Sequence, residues 1–479
     1  MQQYIVKRLL VMIPTLLAIT VIVFVILQIA PGRPGGAASG DSEAAGKQAG
    51  MDGYRIFKQQ FNLDKPILFN LRFTLTEPEI RTLLDHRFNA EKLYSLALKN
   101  RATELLQDYG NDILPQLARI IADPPNLRMR NQALKIFRHN AQRPLIHEYG
   151  KRLDDEKRAM NMEIEAENKR ADKFKYLPGM QEEKIRNLVD RVLAYYDDIR
   201  DRYELGFFDR VRIFFLDTRF ARYLSNLARL DFGISFVDRR PVMPKVMEKL
   251  KFSILLSGLS ILIAYILAVP IGIYSAVFPR SLSDQCLTVS LFMLYSLPTF
   301  FAGTVLLFLF SEGGGYYSVF PTGGFKSLDS FELTTLQRLA DVSWHMFLPL
   351  VCLTYVSLAS LSRYARTGLL DVIHSDYIKT ARAKGLPESV VILKHGVRNG
   401  LIPILTLLGS ILPTVVGGSV IIEVIFNLPG IGFEAYNAVL LRDYNMVMAI
   451  QLISAVMTLI GLLISDILYA VVDPRITYD

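Results

Sequence analysis

Six long apolar runs constrain this 479-residue chain more than any other feature. Each run comes close to the roughly 20 residues that cross a bilayer as a helix, although the fourth is short. The runs are residues 8–30, 253–278, 285–311, 346–362, 401–424 and 448–472. They are continuous rather than alternating, which excludes the strands of a membrane barrel. The chain therefore predicts an all-α membrane protein with six transmembrane helices.

The first run has two interpretations. Lys7 and Arg8 precede it, as basic residues precede the core of a signal peptide. However, the run is longer than the roughly 7–15 residues of a typical signal core, and no small-x-small cleavage site follows closely. We interpret residues 1–34 as an uncleaved first transmembrane helix.

Basic residues are concentrated in alternate connections between the runs. A six-span topology places them on one side of the membrane, which the positive-inside rule identifies as the cytoplasm. They are Lys7, Arg8, Arg280, Arg363, Arg366, Lys379, Arg382, Lys384, Lys394, Arg398 and Arg475. Both termini are thus predicted to be cytoplasmic. The net charge of +8 is explained by these loops, without a nucleic-acid partner.

The segment between the first two spans is then extracytoplasmic. It begins with a Gly/Ala/Ser-rich part within 35–76. Residues 77–217 differ in kind, because they hold about 26 basic and about 25 acidic groups, a nearly neutral balance typical of a soluble helical surface. Residues 218–252 lead back to the membrane, and 253–479 hold the other five spans. We predict that 77–217 is an inserted extracytoplasmic helical domain.

Helical spacing supports this prediction. Apolar positions at 114–121 share one helix face, the sequence at 123–126 breaks the helix, and 127–137 resumes it. Such a pair resembles one unit of a HEAT-like repeat, but no period is visible elsewhere, so a solenoid and an irregular bundle both stay open. The polar stretch 148–176 is predicted to be a long solvated helix.

No enzymatic site is visible in the sequence. The nearest approach to a phosphate-binding loop, residues 323–327, lacks the required glycine–lysine spacing. The histidines are scattered, so no metal site is predicted, and Cys286 and Cys352 fit small core residues. Glu423 and Asp466 lie toward the ends of spans. That position favours structural anchors over the mid-membrane groups of a proton-coupled carrier.

A short basic segment at 376–385 lies between the fourth and fifth runs. It reads Asp-Tyr-Ile-Lys-Thr-Ala-Arg-Ala-Lys-Gly and is predicted to face the cytoplasm. Its small residues Ala381, Ala383 and Gly385 would let another protein approach closely. Such a segment is suited to pass motion from a soluble partner to membrane helices.

This segment and several ordered blocks resemble oligopeptide/dipeptide permease subunits of bacterial ABC importers, in particular the first permease of the pair. Arg363, Arg366, Arg398, Asn399 and Pro403 flank the segment in the same pattern. The other matching blocks are residues 28–32, 62–66, 230–235, 296–300, 320–324, 423–432, 442–444 and 473–475. The resemblance covers about 1–75 and 220–479 and leaves 77–217 without a counterpart.

The resemblance implies a bacterial inner-membrane importer that is built from several different subunits. Its partners would be a second permease, two ATPase subunits that bind ATP and Mg, and an extracytoplasmic substrate-binding protein. Loop 376–395, within the cytoplasmic loop 371–400, would dock on an ATPase. The implied coupling residues are Asp376, Tyr377, Thr380, Ala381, Arg382, Ala383, Lys384 and Gly385. The implied extracytoplasmic loop motif is Glu423, Pro429, Gly430 and Gly432.

Two departures and one alternative accompany the resemblance. The wider importer pattern Glu-Ala-Ala-x-x-x-Gly reads Lys379-Thr380-Ala381 and then Gly385, and Arg33 stands where an acidic residue is frequent. The family also moves nickel and glutathione-like cargo, so the sequence leaves the solute open. In the alternative function, the spans only anchor a functional helical domain. The intact coupling segment speaks against that alternative.

Overall fold

The computed structural model describes residues 2–30, 58, 63–89, 94–146, 153–203, 205–312, 316–401, 404, 407 and 419–472. Most of the predicted linker, most of the predicted fifth span with Pro403 and Pro413, and the block at 473–475 lie outside the described residues. The described chain divides into two compact units, residues 36–233 and the remainder. We describe each unit by itself.

The α-helices of six or more residues account for most of the regular structure of the described residues. In chain order they are α1 (Gln2–Ile29), α2 (Glu77–Phe88), α3 (Leu96–Asp108), α4 (Leu114–Ala122), α5 (Leu127–Asn140), α6 (Asp155–Asp172), α7 (Glu182–Ile199), α8 (Phe207–Leu216), α9 (Arg219–Ala228), α10 (Val242–Val277), α11 (Leu282–Ser296), α12 (Thr299–Phe310), α13 (Thr335–Ile373), α14 (Asp376–Ala383), α15 (Val420–Ile425), α16 (Ile431–Leu440) and α17 (Tyr444–Val472).

Four of the described helices are long and apolar enough to cross a membrane. They are α1, α10, α13 and α17, and the bent pair α11–α12 makes a fifth if it counts as one span. The pair bends by 96° at Pro298, whose missing N–H cannot continue a helix. The predicted all-α membrane class is confirmed. The span predicted at 285–311 is interrupted by this bend, and whether the two helices make one span stays a prediction. The short run 346–362 is only the middle of the 39-residue α13.

Helices α10 and α13 pack closely because α10 carries small residues at every fourth position. Ala264, Ala268 and Gly272 share one face, and the first two are buried against α13. A Cβ on Gly272 would lie 2.7 Å from the Ser362 carbonyl oxygen and nearer still to the Ala365 side chain. Small residues of this kind let membrane helices approach to backbone contact.

Polar contacts define the two ends of this membrane unit. At one end Arg8 of α1 pairs with Asp466 of α17 at 3.0 Å. At the opposite end of α17, Asn445 donates to the Ile234 carbonyl at 2.8 Å, just before α10. The pairing of α1 with the far end of α17 supports the anchor interpretation of Asp466.

The unit 36–233 has its own apolar core. Side chains of α2, α3, α4, α5, α6 and α7 meet in one buried cluster that includes Leu117, Phe137 and Val192. Convergence on one centre favours the irregular bundle over a solenoid, whose repeats contact only their neighbours. The predicted break between α4 and α5 is confirmed, with the Asn126 side chain accepting from Met129 N at 2.8 Å as an N-cap.

The predicted solvated helix is mostly exposed, but it is shorter than expected and carries one buried acid. Helix α6 covers Asp155–Asp172, and the structure does not describe 147–152. Glu167 on α6 is largely buried and accepts from Arg143 at 3.0 Å and from Arg202 at 2.7 Å. These hydrogen bonds, with that from Arg202 first, lower the pKa of Glu167.

The two arms of the inserted unit run side by side. Asn70 N donates to the Phe214 carbonyl at 3.0 Å, and Arg219 N donates to the Pro66 carbonyl at 2.9 Å. Lys65 Nζ reaches Asp217 Oδ2 at 2.9 Å. The arms are therefore neighbours in space although about 150 residues separate them in sequence, as an insertion between adjacent points requires.

Candidate functional site

The predicted coupling segment forms a separate helix, α14, at the end of α13. The break falls at Ser375, which is in an extended conformation as the residue before α14. The helix ends at Ala383. Gly385, two residues further on, has φ +76° and donates its N–H to the Arg382 carbonyl at 2.9 Å. Left-handed backbone of this kind favours glycine.

One face of α14 is buried and the other is exposed. Ile378 and Ala381, one turn apart, pack with Val391 and Val372 in a small apolar cluster. The other predicted coupling residues are exposed. They are Asp376, Tyr377, Thr380, Arg382, Ala383, Lys384 and Gly385. Ala381, one turn from Ile378, is buried in this cluster, so its predicted contact with a partner stays a prediction.

The sequence predicts that Gly385 is small because it packs closely against a neighbour, and its surroundings in this chain do not fit that reason. A Cβ at this position would meet no atom of the described chain within 4 Å. Its packing against its own helix is therefore excluded, and the backbone conformation accounts for the glycine.

Ion pairs fix the exposed side chains of this segment. Arg382 contacts Glu388 at 2.7 Å, and the hydrogen bond from Arg382 lowers the pKa of Glu388. Lys379 pairs with Asp376 at 2.9 Å. These local contacts order the exposed face of α14. Ala383 and Lys384 directly follow Arg382 on it.

The segment that follows α14 is packed directly onto α13. Residues Val391–Gly396 form a π-helical turn. A Cβ on Gly396 would lie 3.2 Å from the Leu369 side chain, and one on Gly400 would lie 2.9 Å from Leu369 Cα. The backbone therefore approaches α13 with no intervening side chain. A force on α14 would be transmitted to α13 by contact.

A buried ion pair ties α13 to two other helices. Arg366 donates to Asp284 through Nε at 3.1 Å and through a terminal nitrogen at 3.0 Å. Asp284, near the start of α11, also accepts from Arg280 N at 2.9 Å and from Ser275 of α10. The sequence singled out Arg366 but missed Asp284. The missed signal was an acid at the third residue of a helix that begins after Ser281.

The extracytoplasmic motif is built on a second buried carboxylate. Glu423 is 0% exposed; its Oε1 accepts from Ser253 Oγ of α10 at 2.7 Å, and its Oε2 accepts from Phe433 N at 2.9 Å. Ser253 Oγ in turn accepts from Ile431 N at 2.7 Å. The carboxylate thereby holds the start of α16 against α10, as an anchor does.

The motif glycines make room for this carboxylate. A Cβ on Gly430 would lie 2.6 Å from Ser253 Oγ and closer to the Glu423 carboxyl group, and one on Gly432 would lie 2.8 Å from Val420 Cα. Pro429 lies beside them on the same loop. The predicted loop motif is one structural site around Glu423.

Another site joins two sequence blocks that sequence reasoning recorded separately. Asp443 is buried and accepts from Ser235 Oγ. Burial raises the pKa of Asp443, against the hydrogen bond from Ser235. Lys245 bridges Asp238 at 2.9 Å and Glu434 at 2.8 Å. The loop before α10 is thus held to the loop before α17, and the beginning of α10 is held to α16.

Comparisons with known proteins bear on this arrangement. Residues 268–478 match the family described as "Binding-protein-dependent transport system inner membrane component". The chain is similar to the oligopeptide transport system permease protein AppB of Bacillus subtilis (strain 168), with 40% identity over 54% of this chain and 80% of that protein. The peptidoglycan transport system permease protein YejB of Agrobacterium fabrum shows 35% identity over 55% and 72%. The glutathione transport system permease protein GsiC of Escherichia coli (strain K12) shows 35% over 54% and 79%.

The membrane unit is a bundle of long apolar helices, which places the protein in the class of α-helical membrane transport components. The chain belongs to the family of binding-protein-dependent transport system inner membrane components, and it is a peptide-type permease subunit of an ABC importer. It is a multi-pass inner-membrane protein. Membership of this family supports the transport function over the alternative of a mere anchor.

Proposed function

We propose that the chain is the first permease of a heterodimeric peptide importer. Some relatives are named for the transport of oligopeptides, peptidoglycan or glutathione. Each of these cargoes contains amino acids joined by amide bonds. A second permease, two ATPases and an extracytoplasmic binding protein complete the proposed complex. ATP and Mg bind the ATPases, and this chain supplies no catalytic group of its own.

The exposed face of α14 is the proposed ATPase contact. The observation that carries the proposal is its construction: an exposed face over a buried cluster, packed without a gap onto α13. Closure of the ATPase pair would move α14 and α13 together as a rigid body. Since α13 packs on α10 and holds α11 through Asp284, that motion would reach three membrane helices.

The distribution of basic residues supports an orientation of the membrane unit. Arg8 and Asp466 lie at one end of the membrane unit, and basic residues of the loop 371–400 follow the end of α13. We assign this end to the cytoplasm because cytoplasmic loops accumulate basic residues. Both termini are then cytoplasmic.

Disulfide trapping tests the ATPase contact. Cysteines replace Ala383 or Ile378 in a chain whose Cys286 and Cys352 are changed to serine. We expect Ala383→Cys, on the exposed face, to cross-link to a cysteine-bearing ATPase and Ile378→Cys, in the buried cluster, not to do so. Failure of Ala383→Cys to cross-link, with the complex intact, would remove α14 from the ATPase interface.

A further inference from the structure

Helix α8 of the inserted unit leaves its large apolar side chains in solvent. Phe207 is 76% exposed, Phe208 84% and Phe215 54%, and no residue of α8 is buried. An exposed apolar surface of this kind is typical of an interaction site. We define the foot patch as Phe69, Phe207, Phe208, Val211 and Phe215.

Most of the exposed apolar side chains of α8 share one side of the helix, and Leu216, 61% exposed, lies on the opposite side. At about 100° per residue, the four foot-patch residues of α8 fall within an arc of about 100°. Arg210 and Arg212 flank this arc on its two sides, and both are exposed. Asp209, the only acid of α8, lies away from the arc. An apolar arc edged by arginines is the pattern of a helix that lies in a membrane interface.

Phe69 extends the patch to the other arm of the insert. Its ring lies 5.1 Å from that of Phe214 in a stacked arrangement and 6.2 Å from that of Phe215. Because Asn70 N also donates to the Phe214 carbonyl, the two arms present the patch jointly. The patch therefore lies at the part of the insert where the chain enters and leaves it.

We propose that the foot patch inserts into the extracytoplasmic leaflet of the bilayer, with Arg210 and Arg212 at the phospholipid phosphates. Phenylalanine rings would enter the acyl region, while the long arginine side chains reach back to the headgroups. The insert would thus stand on the membrane through its own helix α8.

Two observations favour lipid over a protein partner. Arginines edge the apolar arc on both sides, which matches a planar layer of phosphates above an apolar phase. The membrane is also the nearest available partner, because Val242, where the next membrane-spanning helix begins, follows Leu216 by only 26 residues. Tethering at this range makes lipid contact effectively intramolecular.

The direct test uses the full chain with its partner subunits in bilayer nanodiscs. A solvent-sensitive fluorophore is placed on Phe208→Cys or Phe215→Cys after Cys286 and Cys352 are changed to serine. Brominated acyl chains should quench both probes. The matched control is Asp209→Cys, on the same helix but outside the arc, and it should stay unquenched.

Contrary outcomes are equally defined. If neither Phe208→Cys nor Phe215→Cys is quenched, the bilayer is not the occupant. Cross-linking of these positions to a second copy, the second permease or the binding protein, without quenching, assigns the patch to that protein instead. Quenching of Asp209→Cys as strongly as the other two would show that the arc does not orient the helix.

Charge variants test the phosphate contact separately. With phosphatidylglycerol present, replacing Arg210 and Arg212 by glutamine should lower the ratio of inserted to free helix about fivefold for each arginine. In pure phosphatidylcholine the loss should be smaller. Arg186→Gln, an exposed arginine on α7, is the control and should have no effect. An unchanged ratio in both lipids for the double variant would contradict the proposed role of the arginines.

Discussion

Gly430 has no room for a side chain because two buried polar groups occupy the space beside its Cα. A Cβ there would approach Ser253 Oγ and the Glu423 carboxyl group. We expect Gly430→Ala to destabilise the permease by about 1–3 kcal/mol, the usual cost of overpacking. Thermal unfolding in detergent measures the effect. Gly258→Ala on α10 is the matched control, because its Cβ would meet nothing within 4 Å; an equal loss there would mean that the crowding at Gly430 is unimportant.

Asp284 and Arg366 give a second test of single residues. Asp284→Asn leaves the buried end of Arg366 without a counter-charge, so we expect a loss of about 3 kcal/mol. Arg366→Lys should also lower the thermal stability of the permease, because lysine cannot make the two parallel hydrogen bonds that Arg366 makes. Arg363→Lys is the comparison, since Arg363 lies over the Tyr295 ring at 5.9 Å and has a looser requirement. Thermal unfolding that ranks all three alike would contradict this account.

At the scale of elements, the coupling segment depends on one backbone angle. Gly385 has φ +76°, which costs other residues about 1–2 kcal/mol, except that asparagine tolerates it better. Gly385→Asn should therefore keep ATPase co-purification and uptake, whereas Gly385→Val should lose both while still inserting in the membrane. Gly385→Glu should behave like the valine variant. If asparagine is as harmful as valine, the angle is not the reason for glycine, and contact with the ATPase is.

The sequence predicted the elements better than their bounds. The apolar runs indicated α1, α10, α13 and α17, because a continuous apolar stretch has few other solutions. The polar ends of α13 were missed, since Arg363 and Arg366 do not look like membrane residues until Asp284 and Tyr295 are placed beside them. Likewise the coupling residues were named, but only the helix geometry shows that Ala381 faces inward.

At the scale of the whole molecule, the membrane topology is open to direct measurement. Asp376→Cys, in a cysteine-free background, should react with an impermeant thiol reagent only in broken cells. Glu163→Cys, in the insert, should react in cells whose outer barrier alone is permeabilised. Both positions are exposed, so lack of reaction cannot be attributed to burial. The reverse pattern would overturn the assignment of both termini to the cytoplasm.

The insert can be removed from the membrane unit only if its two arms are neighbours in space. The composition of the sequence indicated a separate domain, and the contacts show that the arms are neighbours. The buried cluster of α2–α7 is complete within the unit 36–233, and the arms pair through Lys65, Asn70 and Asp217. The pKa of Asp217 is lowered by its pairing with Lys65 and Arg222, although burial opposes the shift. These contacts link positions far apart in sequence, so no local pattern could have predicted them.

Deletion of the insert is the prediction that follows from this pairing. Removing 77–212 with a short Gly/Ser bridge keeps Asp217 and the Asn70–Phe214 contact, so the shortened chain should still enter the membrane and co-purify with the ATPases. Removing 77–217 also takes away Asp217, and we expect that variant to be less stable because Lys65 and Asn70 lose their shared acceptor.

Uptake by the 77–212 deletion then decides what the insert does. We expect assembly with the ATPases to persist while substrate uptake, or docking of the binding protein, falls, because the insert interrupts a segment of a transport subunit that we predict to be extracytoplasmic. Unchanged uptake would mean that the insert is a lineage-specific elaboration with no part in transport. A deleted chain that fails to insert or assemble would show instead that the domain and the membrane helices fold as one unit.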